Sequence, residues 1–318
     1  MRLKIVPDNT KIDFIGFHKL AIGFSVLLII ASLGLFAVRG LNLGIDFLGG
    51  IMLEVKTEGP ADIGTFRSDL GGLGLGEVGI QEFGEPDVLL IRVQRQPGGD
   101  EAQQEAIKTI TETLGDRVVE YRRNEVVGPT VGAELQEAAL IAVLAAIGAI
   151  LVYIWFRFEW QYGVGAVIAL THDVIATVGL FALFQLEFNL STVAAILTIA
   201  GYSINDTVVV YDRVRDKLRR FKKLPFEELF NLAINKTLSR TVMTSFTTLL
   251  ALLALLFFGG EVIRDFVIAM IWGIVIGTYS SIAIAVPLLL YLRPRRGDED
   301  ESPAGEETAQ KETALGAG

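Results

Sequence analysis

The sequence predicts a polytopic α-helical membrane protein with six transmembrane helices and one α+β domain outside the membrane. Most of this prediction depends on four uncharged runs of 19 residues or more. These runs are residues 20–38, 138–156, 241–260 and 266–292. An apolar helix rises about 1.5 Å per residue and needs about 20 residues to cross a bilayer core of roughly 30 Å. Two further apolar stretches, which ionisable residues interrupt, and an acidic segment at 39–137 complete the pattern. The pattern excludes an ordinary soluble enzyme.

The six predicted transmembrane helices differ in polarity. The first predicted helix follows an N-terminal segment, residues 1–19. The apolar run of this helix is too long for a signal peptide, and no small-residue cleavage site follows the run. The third and fourth differ from the others because ionisable residues interrupt them. The predicted helices cover residues 20–38, 138–156, 162–184, 189–211, 241–259 and 266–292.

The acidic segment at 39–137 is long enough to form one small domain. It carries 18 acidic and nine basic side chains. Its apolar spacing predicts strands and helices in the order β-α-β-β-α-β, which is typical of a ferredoxin-like fold. The predicted elements are a strand at 51–55, a helix at 61–70, strands at 78–83 and 88–93, a helix at 100–114 and a strand beginning at 118.

The distribution of basic residues predicts the orientation of the chain in the membrane. The loop 212–240 carries nine Lys and Arg residues, which is typical of a cytoplasmic loop. Counting helices from this loop places both termini in the cytoplasm and the domain at 39–137 outside. The C-terminal segment 293–318 is predicted to be a disordered cytoplasmic tail, because its last 22 residues include seven acidic residues and few apolar ones.

Composition excludes several classes of function. The chain has no cysteine, which excludes disulfides, thiolate metal sites and a cysteine nucleophile. It has two histidines and no Walker A loop, so the sequence predicts no metal ion, no other cofactor and no enzyme. Orientation and contact with membrane lipids explain the basic loop at 212–240, so no nucleic acid is expected as a partner.

An aspartate inside the fourth predicted helix is the first candidate site residue. Asp206 precedes the charged end of that helix, at Asp212, by six residues or about 9 Å. A charge at the bilayer centre costs about 2.5–3.5 kcal/mol on the mildest scale, so a role in carrying protons is predicted. The alternative is a carboxylate held in a helix cap or in a hydrogen bond between helices.

An arginine at the start of the fifth predicted helix is the second candidate. Arg240 precedes Phe258 by 18 residues or about 27 Å, which places it at a depth similar to that of Asp206. An adjacent guanidinium favours an ionised carboxylate, so moving the arginine away would let the carboxylate take up a proton. The alternative is an arginine that anchors the helix end at the membrane surface.

Four further polar residues are predicted to support this pair. His172 and Asp173 lie near the middle of the third predicted helix, where they either join neighbouring helices or take part in a proton relay. Asn205 lies next to the candidate aspartate, and Thr244 lies one helical turn beyond the candidate arginine. Both are predicted to give polar support within the membrane.

Four ordered sequence blocks carry a resemblance to a known family. The blocks are GIDFLGG at 44–50, VGPTVG at 127–132, YSINDTVVVYDR at 202–213 and LSRTVMTS at 238–245. In these blocks the chain resembles the SecD/SecF group of protein-export membrane proteins, within the resistance–nodulation–division superfamily. The resemblance covers nearly the whole chain up to about residue 296.

The resemblance implies a subunit that acts in protein export across the bacterial inner membrane. Such a subunit pairs with the homologous SecD, joins the SecYEG channel and YajC, and uses protons to help pull an unfolded precursor protein across. Asp206 and Arg240 match the family's aspartate and arginine for proton transport. The resemblance also implies that the outside domain moves and contacts the precursor, and that this chain is a separate subunit rather than a fusion.

The glycines of the first block are predicted to form a hinge between the membrane helices and the outside domain. Gly44, Gly49 and Gly50 permit backbone turns that other residues resist. Asp46, within the same block, is interpreted as the cap of a turn. Two alternative functions stay open, a proton-coupled exporter of small molecules and a scaffold subunit of the translocase without proton flux.

Overall fold

The computed structural model describes residues 7, 10–76, 78–260 and 263–295. From residue 296 onward, the predicted acidic tail lies outside the described residues. In chain order the elements are α1 (His18–Arg39), β1 (Asn42–Leu43), α2 (Ile45–Leu48), β2 (Gly50–Thr57), α3 (Ile63–Gly71), β3 (Val78–Phe83), β4 (Glu85–Val93), α4 (Gly99–Leu114), β5 (Val118–Val127), α5 (Pro129–Arg157), α6 (Trp160–Phe184), β6 (Glu187–Phe188), α7 (Leu190–Arg220), α8 (Phe226–Phe258), α9 (Arg264–Ser280) and α10 (Val286–Leu292). A π-helical segment, Ser281–Ala285, joins α9 to α10.

Within these described ranges, six helical stretches are long and apolar enough to cross a membrane. They are α1, α5, α6, α7, α8 and the continuous stretch formed by α9, the π segment and α10. The chain is therefore a polytopic helical membrane protein. Each predicted apolar run overlaps one of these helices and passes its ends by two residues at most. Several helices extend beyond the apolar runs, because their end turns are charged or amphipathic and carry no apolar signal.

Three of the six spans form the centre of the bundle. About half of the most apolar window is buried in α6, in α7 and in the last span, against 17% or less in α1, α5 and α8. Small residues explain the close packing, because a side chain at Gly273 would meet Ile199 and one at Gly277 would meet Ser203. The last span thus packs directly on α7, the helix that carries the candidate aspartate.

The domain at 39–137 is called the outside domain below. The ends of α7 and α8 that lie away from it continue past the apolar runs. Buried Val214 and Leu218 on α7 pack in one cluster with Leu229 and Phe230 on α8. The polar face of α7 is lined with charged residues at helical spacing, and Arg220 pairs with Asp216 four residues earlier. An apolar stripe on one face and ion pairs on the other explain why both helices persist in this basic region.

The segment between α1 and α5 forms a four-stranded antiparallel sheet with two helices. The strand order is β3-β4-β2-β5, and α3 and α4 contribute to a single apolar core with the sheet. Along the chain the elements follow the order strand, helix, strand, strand, helix, strand. Alternate residues of β2, such as Leu53 and Val55, face Leu70 and Ile110 from the helices in this core.

A second, two-stranded sheet ties the outside domain to the membrane helices. β1 pairs in parallel with β6, so that Asn42 lies opposite Glu187. Glu187 also forms an ion pair with Arg92 of β4, and its backbone N–H donates to Asp265. Burial raises the pKa of the Glu187 carboxyl above its ordinary value, and the Arg92 guanidinium opposes that rise. The sequence did not predict this pairing, because two-residue strands have no periodicity to detect.

The glycine-rich block at 44–50 is closely packed in this structure. Gly50 has φ 135°, and a Cβ there would lie 2.6 Å from the carbonyl oxygen of Val93. The Asp46 carboxylate accepts a hydrogen bond from the backbone N–H of Leu190, at the first turn of α7. The block therefore connects the outside domain, through its four-stranded sheet, to the start of α7. The predicted hinge at Gly44, Gly49 and Gly50 stays a prediction.

Replacing Gly50 with alanine should destabilise the outside domain. Its positive φ and the nearby carbonyl leave no room for a Cβ, so we expect a loss of about 1–3 kcal/mol. The measurement is hydrogen exchange of the β2 and β4 amides in the purified full-length protein. Gly59→Ala is the control, because no atom lies within 4 Å of a Cβ there. Equal exchange in the two variants would contradict the close packing of the glycine-rich block.

Candidate functional site: two buried carboxylates and a serine pair

Asp206 lies in α7 with only 8% of its surface exposed. Both of its carboxylate oxygens are occupied by hydroxyl donors from neighbouring helices. Thr241 of α8 donates to Oδ1 at 2.6 Å, and Ser281 of the π segment donates to Oδ2 at 2.6 Å. The aspartate thus joins three helices, and each hydroxyl satisfies one oxygen of a group that is costly to bury alone.

Asp173 is a second buried carboxylate, on α6, and none of its surface is exposed. Its Oδ2 accepts hydrogen bonds from Ser203 of α7 at 2.6 Å and from Ser280 of α9 at 2.7 Å. The ring Nδ1 of His172 lies 3.0 Å from Oδ1. Two hydroxyl donors and a histidine ring nitrogen therefore surround this carboxylate at the centre of the bundle.

Two consecutive serines connect the two carboxylates. Ser280 contacts Asp173, and Ser281 contacts Asp206. Both serines lie where the α-helix of the last span changes into the π segment. Short π-helical segments of this kind occur frequently at functional sites in helical proteins.

The π segment has an identifiable cause in the sequence. Pro287, near the start of α10, has no backbone N–H and cannot bond the carbonyl four residues earlier. Within the π segment, the carbonyl of Ala285 accepts a hydrogen bond from the hydroxyl of Tyr211 on α7, at 3.0 Å. The proline and the tyrosine together hold the last span in the shape that presents the serine pair.

These hydroxyls can serve either protonation state of the carboxylates. A serine or threonine hydroxyl donates one hydrogen bond and also accepts hydrogen bonds. It therefore donates to an ionised carboxylate and accepts from a protonated one. The arrangement can hold a proton at Asp206 or release it without leaving a buried polar atom unsatisfied.

The structure brings Arg240 near Asp206 but forms no ion pair between them. The guanidinium is close enough to act electrostatically on the carboxylate, yet no salt bridge joins these two described residues. Arg240 is exposed, and so are Asn205 and Thr244. The Thr244 hydroxyl donates only to carbonyls of its own helix. The predicted site residues therefore divide into a buried cluster and an exposed face beside it.

His172 has one ring nitrogen that is satisfied and one that is not. Its side chain is 1% exposed, and its Nε2 has no hydrogen-bond partner among the described residues. The ring lies 6.1 Å from the ring of Tyr279, centroid to centroid. A buried polar atom without a partner is uncommon enough to require an explanation.

Sequence reasoning missed the hydroxyl groups that contact the carboxylates. None of Ser203, Thr241, Ser280 and Ser281 is predicted above as a site residue. The available signal was Pro287 within the last apolar run, one to two turns after a serine pair. Within the described residues no group of three or more His, Cys, Asp or Glu side chains could hold a metal ion.

The fold and this site define a class, a six-span membrane protein with buried carboxylates in its bundle and a domain outside it. Two family models match the chain. The model for protein export membrane protein SecD/SecF, C-terminal, covers residues 106–295, and that for the SecD/SecF GG motif covers residues 34–61. The chain belongs to the SecD/SecF family of protein export membrane proteins.

Individual relatives match over nearly their whole length. Protein translocase subunit SecF of Cereibacter sphaeroides is 46% identical over 317 residues, covering 97% of this chain and 98% of that protein. The protein of the same name from Rhodobacter capsulatus is also 46% identical, covering 95% of each chain.

Two solved structures of SecDF are similar to the chain. The crystal structure of SecDF, a translocon-associated membrane protein from Thermus thermophilus, has a TM-score of 0.83 and 38% identity. The match covers 93% of this chain and 40% of that one. A structure of SecDF in a super-membrane-facing form has a TM-score of 0.67 and 36% identity, covering 99% of this chain and 41% of that one. The chain thus spans about two fifths of the length of these structures.

Replacing Thr241 with valine should destabilise the bundle, because the change leaves one Asp206 oxygen without its donor. A hydrogen bond to a charged group contributes about 1.5–3 kcal/mol, and we expect a loss of that size. The measurement is thermal unfolding of the protein purified in detergent. Thr247→Val is the control, because Thr247 is exposed and its hydroxyl donates only within its own helix. Indistinguishable midpoints for the two variants would contradict the hydrogen bond.

Proposed function

We propose that the chain is an accessory subunit of the Sec protein translocase. With SecD it uses the proton-motive force to promote export of secretory proteins across the bacterial inner membrane. The single observation that carries the proton role is the buried carboxylate of Asp206, held by two hydroxyls in the interior of a membrane span. The relatives named protein translocase subunit SecF, which align with nearly the whole chain, support the role in export.

In this proposal Asp206 exchanges the proton and Arg240 modulates the exchange. Ionisable groups inside membrane spans commonly mark ion and proton pathways, because their burial is otherwise costly. The electrostatic influence of Arg240 without a direct ion pair supports a modulating role, since a small movement of either helix would change it. His172 and Asp173 support the site from α6.

SecD is the proposed partner inside the membrane, and the exposed face beside Asp206 supports this. Thr198, Gly201 and Asn205 follow one exposed stripe of α7, and Arg240 and Thr244 follow one of α8. Polar and small residues at membrane depth pack against helices, not against lipid tails. A second helical subunit would cover this face. The SecYEG channel, YajC and the unfolded precursor protein are further partners in this proposal.

The outside domain is proposed to be ferredoxin-like and to contact the precursor. The order of its elements along the chain and the strand order β3-β4-β2-β5 support the fold. The ion pair and the two-stranded sheet at the junction support transmission of force, because they attach the domain to the membrane helices through several contacts.

The proposed orientation places both termini and the α7–α8 connection in the cytoplasm. The excess of basic residues in that connection supports it. The chain has no cysteine, so single cysteines report sidedness directly. We expect a membrane-impermeant maleimide to label Lys108→Cys, in exposed α4, from the outside of spheroplasts. Lys223→Cys should react only after the membrane is opened. Labelling of both from outside would contradict the orientation.

Asp206→Asn should abolish the stimulation of export by a proton gradient. Amide and carboxylic acid have similar shapes, but the amide cannot release a proton, so proton carriage stops while packing is kept. The measurement follows completion of a stalled secretory precursor in inverted vesicles that carry the chain and SecD, after ATP is removed.

Asp216→Asn is the matched control, ten residues further along the same helix, where the carboxylate pairs with arginines at the surface. We expect this variant to complete export at the wild-type rate. Wild-type completion by Asp206→Asn would instead identify the chain as a scaffold subunit without proton flux. Proton flux that persists without a precursor effect would favour a small-molecule exporter.

A further inference from the structure

We propose that Asp173 is a second proton-binding group, coupled to Asp206 through the Ser280–Ser281 pair. The inference depends on the proposed proton role of Asp206 and assigns the next group on the same path. It follows from three observations: the complete burial of Asp173, the consecutive serines that contact the two carboxylates, and the alternative acceptors available to each serine.

Each serine hydroxyl has two acceptors within reach but one hydrogen to donate. Ser281 lies 2.6 Å from Asp206 Oδ2 and 3.0 Å from the backbone oxygen of Thr278. Ser280 lies 2.7 Å from Asp173 Oδ2 and 3.1 Å from the backbone oxygen of Gly277. Because a hydroxyl carries a single hydrogen, a full bond to the carboxylate and a full bond to the carbonyl exclude each other.

Protonation selects between these two bonds. When Asp206 is ionised, Ser281 donates its hydrogen to the carboxylate. When Asp206 carries a proton, the carboxyl O–H donates to the Ser281 oxygen, and the serine hydrogen turns to the carbonyl of Thr278. The same exchange at Ser280 moves its hydrogen between Asp173 and the carbonyl of Gly277. Every donor has an acceptor in both states, and no additional reactant is required.

The π segment converts this exchange into coupling between the two sites. Serine bonds to a carbonyl of the preceding turn bend a helix slightly. The two serines are adjacent in sequence at a point where the helical hydrogen bonding is already altered, so a change of geometry at one displaces the other. The last span is then an element with two arrangements, which both carboxylates bias.

The position of Asp173 fits a group that a proton reaches before Asp206. Its contact Ser203 precedes Asp206 on α7 by three residues, or about 4.5 Å, toward the end that meets the outside domain. The Nε2 of His172, which has no hydrogen-bond partner in the described part of the chain, lies in the same buried region. Among the described residues, the titratable or charged groups near the two carboxylates include His172 on α6, Tyr279 on the last span and Arg240 on α8, and Tyr202 of α7 bonds Ser245 beside them.

The first arm of the test measures gradient-driven completion of a precursor in vesicles that contain the full chain and SecD. We expect Asp173→Asn to reduce the rate about tenfold or more, as Asp206→Asn does, and each single serine-to-alanine variant to reduce it about threefold to tenfold. Ser245→Ala is the matched control. It removes a buried serine hydroxyl that bonds Thr278 and Tyr202 side chains and neither carboxylate, so its rate should equal the wild type.

The second arm is infrared difference spectroscopy of the purified chain. It separates coupling through the serines from a merely structural role of the serines, because a structural role would not make the Asp173 band depend on Asp206. The Asp173 band is identified as the one absent from Asp173→Asn. We expect Asp206→Asn to shift this band when both serines are present, and to leave it unmoved in the Ser280→Ala or Ser281→Ala background. If Asp173→Asn fails to assemble, Asp173→Glu, which keeps a carboxyl group at this position, identifies the band by its shift.

The outcomes separate this inference from the proposed function. If Asp206→Asn loses gradient-driven completion while Asp173→Asn keeps the wild-type rate, the second proton site is overturned and the proposed function stands. The coupling is overturned if the Asp173 band does not shift in Asp206→Asn. It is also overturned if the band shifts equally in the Ser280→Ala or Ser281→Ala background. Wild-type completion by Asp206→Asn overturns the proposed function itself, and a serine-dependent band shift would still establish the coupling.

Discussion

A carboxylate inside a membrane bundle is costly unless hydrogen-bond donors surround it, and this cost determines which helices pack together. Asp173 and Asp206 accept hydrogen bonds from four hydroxyls on α7, α8 and the last span, and the ring nitrogen of His172 on α6 contacts Asp173. No single helix can supply these donors, so the helices must approach closely. Gly273 and Gly277 remove the side chains that would prevent the last span from approaching α7. Close packing of the helices and hydrogen bonding to the buried carboxylates therefore depend on each other in this protein.

The sequence predicts the membrane spans well because length and apolarity are local properties of a helix. It also identifies Asp206 and Asp173, since an ionisable residue within an apolar run is visible without a structure. The partners of these residues are not visible, because Ser203 and Ser280 are ordinary serines until tertiary packing brings them to a carboxylate. The π segment depends on Pro287 together with Tyr211 from another helix, and such a combination has no periodic signal.

At the junction between the outside domain and the membrane helices, the sequence likewise predicts local patterns but not contacts between distant segments. The apolar alternation of β2 and β4 predicts a sheet, but β1 and β6 acquire their pairing only from the arrangement of the surrounding helices. The sequence predicts a hinge role for Gly50, which stays a prediction, and the structure shows that its missing Cβ permits close packing on the Val93 carbonyl. Glycine composition alone does not distinguish these two uses, because both require the same absence of a side chain. The outside domain is thus positioned by contacts that are distant in sequence.

The exposed face beside Asp206 has a consequence for the life of the protein in the cell. A guanidinium at Arg240 and an amide at Asn205 that met lipid would each raise the free energy of the solitary chain. In the proposed assembly, a second subunit covers these groups, which a solitary copy leaves exposed. Membrane proteases and chaperones that recognise polar groups in the bilayer can therefore distinguish an orphan copy from an assembled one. With such a partner, copies synthesised in excess of it would keep these groups uncovered and would be exposed to turnover.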